Sequence, residues 1–145
     1  MKTPGPDHPI TLTPNPHRVR IRYDNHVLGD TRRAITLQEA NLSPVQYVPR
    51  EDFESAWLSR TDKVTHCPYK GDASYYSLFV NGDLSENVVW SYENPYPAME
   101  AIRGHLAFYT DKIDVYEVED EIEQRSMGDR TVNEAVEGGA NDRAG

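Results

Sequence analysis

Cysteine is almost absent from this sequence of 145 residues, and that absence excludes several kinds of site. The one cysteine, Cys67, has no second thiol in the chain to pair with. An intrachain disulfide is therefore excluded, and so is a zinc site built from several cysteines. Such sparing use of cysteine fits a reducing compartment, so we expect a cytoplasmic protein. We expect no structural zinc, and the sequence specifies no cofactor.

Long hydrophobic runs and positive charge are also scarce. No stretch reaches the roughly 18 apolar residues of a membrane span, and residues 1–10 lack the apolar run of a signal peptide. The formal net charge is −9, which disfavours partners that are themselves negative, such as nucleic acid or anionic lipid. We therefore expect neither nucleic acid nor a membrane as a partner.

Aromatic residues are confined to the middle of the chain, from Tyr23 to Tyr116. Only this stretch has the large apolar side chains that repay the entropy cost of ordering. Residues 119–145 are acidic and glycine-rich, a composition typical of disorder. Residues 1–16 are rich in proline and are expected to form a loose leader. The sequence thus predicts one domain at residues 17–118 between a flexible leader and an acidic tail.

Alternating apolar residues predict a domain made mainly of strands. Val19, Ile21 and Tyr23 alternate with arginines, which is typical of a strand with one face on the core. Asn81-Gly82 predicts a tight hairpin turn after a strand at residues 75–80. Further strands are predicted near residues 27–31, 34–39, 45–48, 86–92 and 113–118.

One segment, from Pro97 to Tyr109, has the pattern of a helix. Proline suits the first helical turn, and Met99, Ile102 and Leu106 fall on one apolar stripe that ends at Tyr109. We expect a helix at about residues 97–109 that packs on the strands.

The segment at residues 61–76 is rich in residue types that act in catalysis or ligand binding. Pro68 and Gly71 favour turns, so we expect a curled loop that presents backbone amides and Lys70 to a carboxylate or phosphate. His66 and Cys67 are neighbours, and in an extended strand they would point to opposite faces. Only a turn would pair the thiolate with the imidazole. Otherwise both residues are structural.

Five stretches of the sequence together resemble the domain-of-unknown-function 427 family. They are Arg32-Arg33-Ala34, Tyr47-Val48-Pro49-Arg50-Glu51-Asp52, Thr65-His66-Cys67-Pro68-Tyr69-Lys70-Gly71-Asp72-Ala73-Ser74-Tyr75, Val89-Trp90-Ser91-Tyr92 and Ala107-Phe108-Tyr109. The resemblance covers residues 18–117, and its His-Cys-Pro-Tyr-Lys-Gly core is a specific signature.

The resemblance implies a fold similar to the β-tent or Mss4-like group, in which two antiparallel sheets lean together. Relatives with that topology often hold zinc on two Cys-x-x-Cys pairs, and some are methionine sulfoxide reductases or small-molecule readers. This chain lacks the cysteines of that zinc site, so neither the metal nor the activity carries over. The expected fold is mainly β, with two antiparallel sheets in this arrangement and one helix.

The family-matching polar residues are expected to line a pocket with aromatic walls. The polar set is Arg33, Arg50, Thr65, His66, Lys70 and Ser91, and the walls are Tyr47, Tyr75 and Trp90. Either arginine could hold a carboxylate or phosphate through paired hydrogen bonds. Alternatively, Arg50 pairs on the surface with Glu51 or Asp52, and Trp90 and Tyr75 belong to the core.

Three functions are consistent with these residues. The first is binding of a small anionic metabolite in a pocket of polar and aromatic side chains, with or without catalysis. The second is a thiol-dependent redox enzyme with Cys67 as nucleophile beside His66, which would need an external thiol. The third is a non-catalytic protein-interaction domain that docks a partner on a sheet edge or on the acidic tail. The sequence leaves the oligomeric state open between monomer and homodimer.

Overall fold

The computed structural model describes residues 1–119, and about half of these residues lie in ten β-strands. The strands are Ile10–Pro14 (β1), Arg18–Tyr23 (β2), His26–Thr31 (β3), Ile35–Glu39 (β4), Val45–Tyr47 (β5), Leu58–Cys67 (β6), Gly71–Val80 (β7), Asp83–Ser91 (β8), Ala107–Phe108 (β9) and Asp114–Val118 (β10). Short 3-10 segments occur at Arg50–Asp52, Ser55–Trp57 and Pro97–Ile102. No helix within residues 1–119 has the length and apolar character to cross a membrane. Residues 120–145, which include nearly all of the expected acidic tail, lie outside the described residues.

The described strands form three antiparallel sheets, where two were expected. One sheet has four strands in the order β6-β7-β8-β9, and the others have the orders β10-β2-β3 and β1-β4-β5. The mainly β class is therefore confirmed. A tent-like arrangement of the sheets stays a prediction.

The four-stranded sheet contributes each of its faces to a different hydrophobic core. Along β7, Tyr76 and Leu78 belong to one core, and Ala73 and Tyr75 belong to the other. The first core also contains residues of β2, β3 and β10, and the second contains residues of β4 and β5. Because side chains alternate along a strand, the four-stranded sheet separates the two cores.

The hairpin between β7 and β8 confirms the strongest local prediction. Asn81 has a φ of 53° and Gly82 a φ of 78°. Two successive residues in the left-handed region define the type I′ turn, whose twist matches that of the flanking strands. Antiparallel pairing of Val80 with Asp83 follows directly from this turn.

The prediction of a helix at residues 97–109 is wrong. Only Pro97–Ile102 is helical, as a 3-10 segment interrupted at Met99, whose φ of −109° lies outside the helical range. Gly104 then adopts a φ of +69°, and the chain turns towards β9. The apolar residues therefore belong to two different elements rather than to one helix, because Leu106 already lies in an extended β-bridge.

The segment expected to be a loose leader contains a strand of the fold. β1 pairs antiparallel with β4, with Ile10 opposite Glu39, and Ile10 and Leu12 pack against the second core. The backbone amide of Lys2 donates a hydrogen bond to the carbonyl of Pro68 at 2.7 Å. β1 lies at the edge of its sheet, where proline is tolerated, so the proline content of the segment did not exclude a strand.

Candidate functional site

Residues 61–76, in which we expected a curled loop, form a β-hairpin instead. β6 ends at Cys67 and β7 begins at Gly71, with a short turn at residues 68–70 between them. The register places His66 opposite Asp72. Successive side chains of a strand point to opposite faces, so the hairpin distributes the predicted site residues over both faces of the sheet.

His66 and Cys67 therefore point to opposite faces of the sheet. His66 Nδ1 lies 2.7 Å from Asp72 Oδ1 on the exposed surface. Cys67 is partly buried and packs against the second core on the other face. The geometry matches the structural alternative for both residues.

A cleft of about 290 Å³, which we call the aromatic cleft, opens beside the second core. Five aromatic side chains line it: Tyr47, Tyr75, Trp90, Tyr92 and Tyr109. Trp90 Nε1 donates to the Tyr47 hydroxyl at 3.1 Å, and the ring centroids of Trp90 and Tyr109 are 4.8 Å apart. Contacts between the rings thus give the cleft a wall of connected aromatic surfaces.

Glu39 and Lys70 form an ion pair in the lining of the aromatic cleft. Lys70 Nζ donates to Glu39 Oε1 at 2.6 Å, and His8 Nε2 lies 2.7 Å from Glu39 Oε2. Burial by itself raises the pKa of Glu39, but the hydrogen bonds and charges of Lys70 and His8 outweigh it and lower the pKa. Glu39 is therefore a carboxylate at neutral pH.

The N-terminal residues hold this ion pair in place. The ring of His8 stacks on Tyr69, with centroids 4.3 Å apart and planes 14° apart. Tyr69 is in the turn that delivers Lys70, and β1 pairs with the strand that carries Glu39. The charged end of the aromatic cleft is thus supported by the segment expected to be a leader.

Three tyrosines of the aromatic cleft, Tyr47, Tyr92 and Tyr109, are neutral phenols at physiological pH. Burial raises the pKa of Tyr47 and Tyr92 well above the ordinary value, and burial with the neighbouring Tyr75 raises the pKa of Tyr109 to about 12. Tyr92 as a residue is 7% exposed, but its hydroxyl is not a buried atom, and it makes no hydrogen bond to any residue within 1–119. That hydroxyl retains its capacity to donate or accept a hydrogen bond.

A second cleft, of about 580 Å³, opens on the opposite face of the four-stranded sheet. Its lining is polar and includes Arg60, His66, Asp72, Ser74 and Glu93, so we call it the polar cleft. No group of three or more His, Cys, Asp or Glu side chains in the described part of the chain is placed to hold a metal ion.

Glu93 joins four hydrogen-bond donors beside the polar cleft. One carboxylate oxygen accepts from Arg60 Nη1 at 2.9 Å and from Ser74 Oγ at 3.2 Å. The other accepts from Arg50 Nη2 at 3.2 Å and from the Tyr76 hydroxyl. These donors come from a 3-10 segment and two strands, so Glu93 cross-links elements that are distant in sequence.

Acidification should destabilise the fold through Glu93, and Glu93→Gln should remove part of that dependence. Burial by itself raises the pKa of Glu93, but the hydrogen bond from Tyr76 and the charge of Arg60 outweigh it, so the pKa lies below the ordinary 4.5. A carboxylate with a lowered pKa in the folded state stabilises the fold above the unfolded value and loses this contribution as the pH falls through the folded value. Urea unfolding at about pH 7 and about pH 3 measures the difference.

The control for that experiment is Glu86→Gln, at an exposed position of β8. The wild type and Glu86→Gln should lose the same free energy of unfolding between the two pH values, and Glu93→Gln should lose less. An equal loss in all three proteins would contradict a stabilising role for the Glu93 carboxylate.

The structure brings five of the sequence-predicted residues together. Tyr47, Lys70, Tyr75 and Trp90 line the aromatic cleft. Thr65 lies beside them, with its Oγ1 3.0 Å from the Tyr75 hydroxyl. These residues come from four strands and a turn, and Tyr47, Tyr75 and Trp90 meet because all three belong to or pack against the second core.

The other predicted residues lie elsewhere. Arg33 lines neither cleft, and its guanidinium pairs with Glu51 and Asp52 on the surface. Arg50 pairs with Glu93 and does not converge with Lys70 on one site. Ser91 is fully buried, and its Oγ is the only buried side-chain polar atom in the described residues without a hydrogen-bond partner.

Three of the charged and aromatic residues that line the aromatic cleft were not predicted from the sequence: Glu39, Tyr92 and Tyr109. Tyr92 and Tyr109 each end a stretch that carries the family resemblance, so a signal for them was present. No local sequence signal marked Glu39, because it pairs with a lysine 31 positions away. Its role depends on pairing between distant strands, which local pattern does not report.

Residues 1–119 thus form an antiparallel β domain with an aromatic cleft on one face of its four-stranded sheet. The family model described as Domain of unknown function (DUF427) matches residues 11–119. This match covers most of the chain, so the chain belongs to the DUF427 family, as the resemblance in its sequence indicated. Compared with the curated proteins, the chain matches none.

Proposed function

We propose that this domain binds a small molecule in the aromatic cleft, and that the ligand combines a flat apolar part with a carboxylate or phosphate. The observation that carries the proposal is the meeting of five aromatic side chains with one lysine around a single cleft. Ligand sites typically combine an apolar, aromatic lining with a few polar groups that fix orientation.

The aromatic side chains supply the affinity for the flat part. Offset or edge-to-face contacts between rings each contribute about 0.5–1.5 kcal/mol beyond the area they bury. Tyr109, which is 39% exposed, lies against Trp90 at the open side of the cleft and is free to pack on a ligand. The volume of about 290 Å³ suits a molecule with one or two rings.

Lys70 supplies the recognition of the anionic group. It is the only basic residue in the lining, and Glu39 accepts a single hydrogen bond from it. An ammonium group has further N–H donors to offer. Tyr92 lines the same cleft, and its hydroxyl, which has no hydrogen-bond partner within residues 1–119, gives the ligand a second polar contact.

The two other functions raised by the sequence have less support. A redox reaction at Cys67 would use a thiol that is partly buried against the second core and has His66 on the opposite face of the sheet. A protein-interaction role would use exposed apolar residues such as Val64, Phe79 and Leu84, none of which lines either cleft. Ligand binding uses a site that the fold already forms.

Lys70→Met should weaken the binding of an aromatic carboxylate by about tenfold to a hundredfold, because it removes a charged hydrogen bond. The probes are 3-phenylpropionate and its uncharged amide, titrated by calorimetry into the full chain. The amide should bind the wild type and Lys70→Met equally, since it does not use the charge of Lys70.

Lys112→Met, at an exposed turn, is the matched control and should bind the acid like the wild type. Phenyl phosphate, titrated in the same way, distinguishes a phosphate from a carboxylate. Unchanged affinity of Lys70→Met for both anions, or no binding of any aromatic acid, would contradict the proposal.

A further inference from the structure

We infer that the ligand of the aromatic cleft is a zwitterion of the α-amino acid type, with an ammonium and a carboxylate on the same carbon and a flat side chain. The inference rests on the proposed function and names its ligand class. It follows from the charge, the hydrogen-bonding capacity and the aromatic surfaces of the cleft.

The charged lining of the aromatic cleft is a pair rather than a single cation. Glu39 and Lys70 are its only charged residues, and their side chains are 14% and 12% exposed. Their charges lie 2.6 Å apart. A ligand with only a negative charge would meet Glu39 as closely as Lys70, and shielding from water strengthens that repulsion. A ligand with both charges on neighbouring groups pairs with both residues.

Both members of the pair have hydrogen-bonding capacity left. Glu39 accepts from Lys70 on Oε1 and interacts with His8 on Oε2, and each carboxylate oxygen has a second acceptor position. Lys70 makes one side-chain hydrogen bond, to Glu39. An incoming ammonium can therefore donate to Glu39 while a carboxylate accepts from Lys70, without breaking the pair.

The rings of the cleft already attract positive charge within this chain. Lys63 Nζ lies 4.5 Å from the centroid of the Tyr75 ring, and Lys70 Nζ lies 5.8 Å from that of Tyr92. The faces of aromatic rings carry negative charge and are the usual hosts of ligand ammonium groups. The walls that hold a flat side chain thus also favour an ammonium near Glu39.

Three ligands that share one phenyl scaffold test the inference on the full chain. L-phenylalanine carries both charges, 3-phenylpropionate only the negative one and phenethylamine only the positive one. Calorimetry should give L-phenylalanine an affinity at least about tenfold higher than either of the others, which corresponds to one additional charged hydrogen bond.

Glu39→Gln should remove this preference. The amide preserves the size of the side chain and can accept from Lys70, so the affinity for L-phenylalanine should fall about tenfold while that for 3-phenylpropionate should not fall. Glu86→Gln is the matched control and should change neither affinity. Thermal unfolding of each variant establishes that it is folded.

The outcomes separate the two proposals. If 3-phenylpropionate binds as tightly as L-phenylalanine, or if Glu39→Gln leaves the preference unchanged, the ligand is not a zwitterion but the proposed function stands. If neither binds, the proposed function and this inference both fail.

Discussion

Tyr47→Ala is expected to lower the free energy of unfolding by about 3–5 kcal/mol, the usual cost of removing a fully buried aromatic ring. Tyr47 is 1% exposed and belongs to the second core. Its ring contacts those of Trp90 and Tyr92, with centroids 6.4 Å and 6.5 Å away. Alanine would leave a cavity beneath the aromatic cleft, which urea unfolding measures as a lower midpoint.

Tyr47→Phe is the matched variant and separates the ring from its hydroxyl. Phenylalanine retains the packing and loses only the hydrogen bond from Trp90 Nε1, so the expected loss is about 1 kcal/mol. Phe79→Ala, at a half-exposed position, should cost less than Tyr47→Ala. If Tyr47→Ala were as stable as Tyr47→Phe, the ring would not be part of a packed core.

Trp90→Ala should weaken binding of 3-phenylpropionate by about thirtyfold or more, since tryptophan is a frequent binding hot spot worth at least about 2 kcal/mol. Trp90 contacts Tyr109 on the open side of the cleft and Tyr47 beneath it. Alanine removes the central surface on which a flat ligand would pack. Calorimetry on the folded variant gives the change in affinity directly.

Trp57 provides the control for Trp90. It packs against the first core and lines neither cleft. Trp57→Phe should leave the affinity for 3-phenylpropionate unchanged. Trp90→Phe retains a smaller ring, so its affinity should lie between those of the wild type and Trp90→Ala. An unchanged affinity in Trp90→Ala would place the ligand outside the aromatic cleft.

Sequence predicted the elements whose signals are local. The strand at Arg18–Tyr23 follows from strict alternation of apolar and charged residues, and Asn81-Gly82 fixes a turn without any help from the rest of the fold. In both cases the residues that decide the conformation lie within a few positions of each other.

The errors arose where distant contacts decide the conformation. β1 exists because it pairs with β4, whereas its own sequence is rich in proline. In the 97–109 segment, Met99 and Ile102 are buried as the pattern indicated, but Leu106 is held in an extended bridge by Val48. An apolar spacing of three or four residues cannot distinguish one helix from a helical turn followed by a strand.

The sequence indicated which residue types form the candidate site, but not which of them lie on the same face of the sheet. His66 and Lys70 are close in the sequence, yet they line different clefts because the β6–β7 hairpin separates them. Lys70 instead pairs with Glu39 across the sheets. A pattern can nominate residue types, but strand register decides which of them share a cleft.

The most direct test of the central claim, that the aromatic cleft holds the ligand, is a nitrogen–proton correlation NMR titration of the wild type with L-phenylalanine and 3-phenylpropionate. If the ligand lies in this cleft, the largest shifts should occur at the indole N–H of Trp90 and at the amides of Lys70, Tyr75 and Tyr109. Shifts centred on Glu93 in the polar cleft, or no shifts at saturating ligand, would contradict that claim.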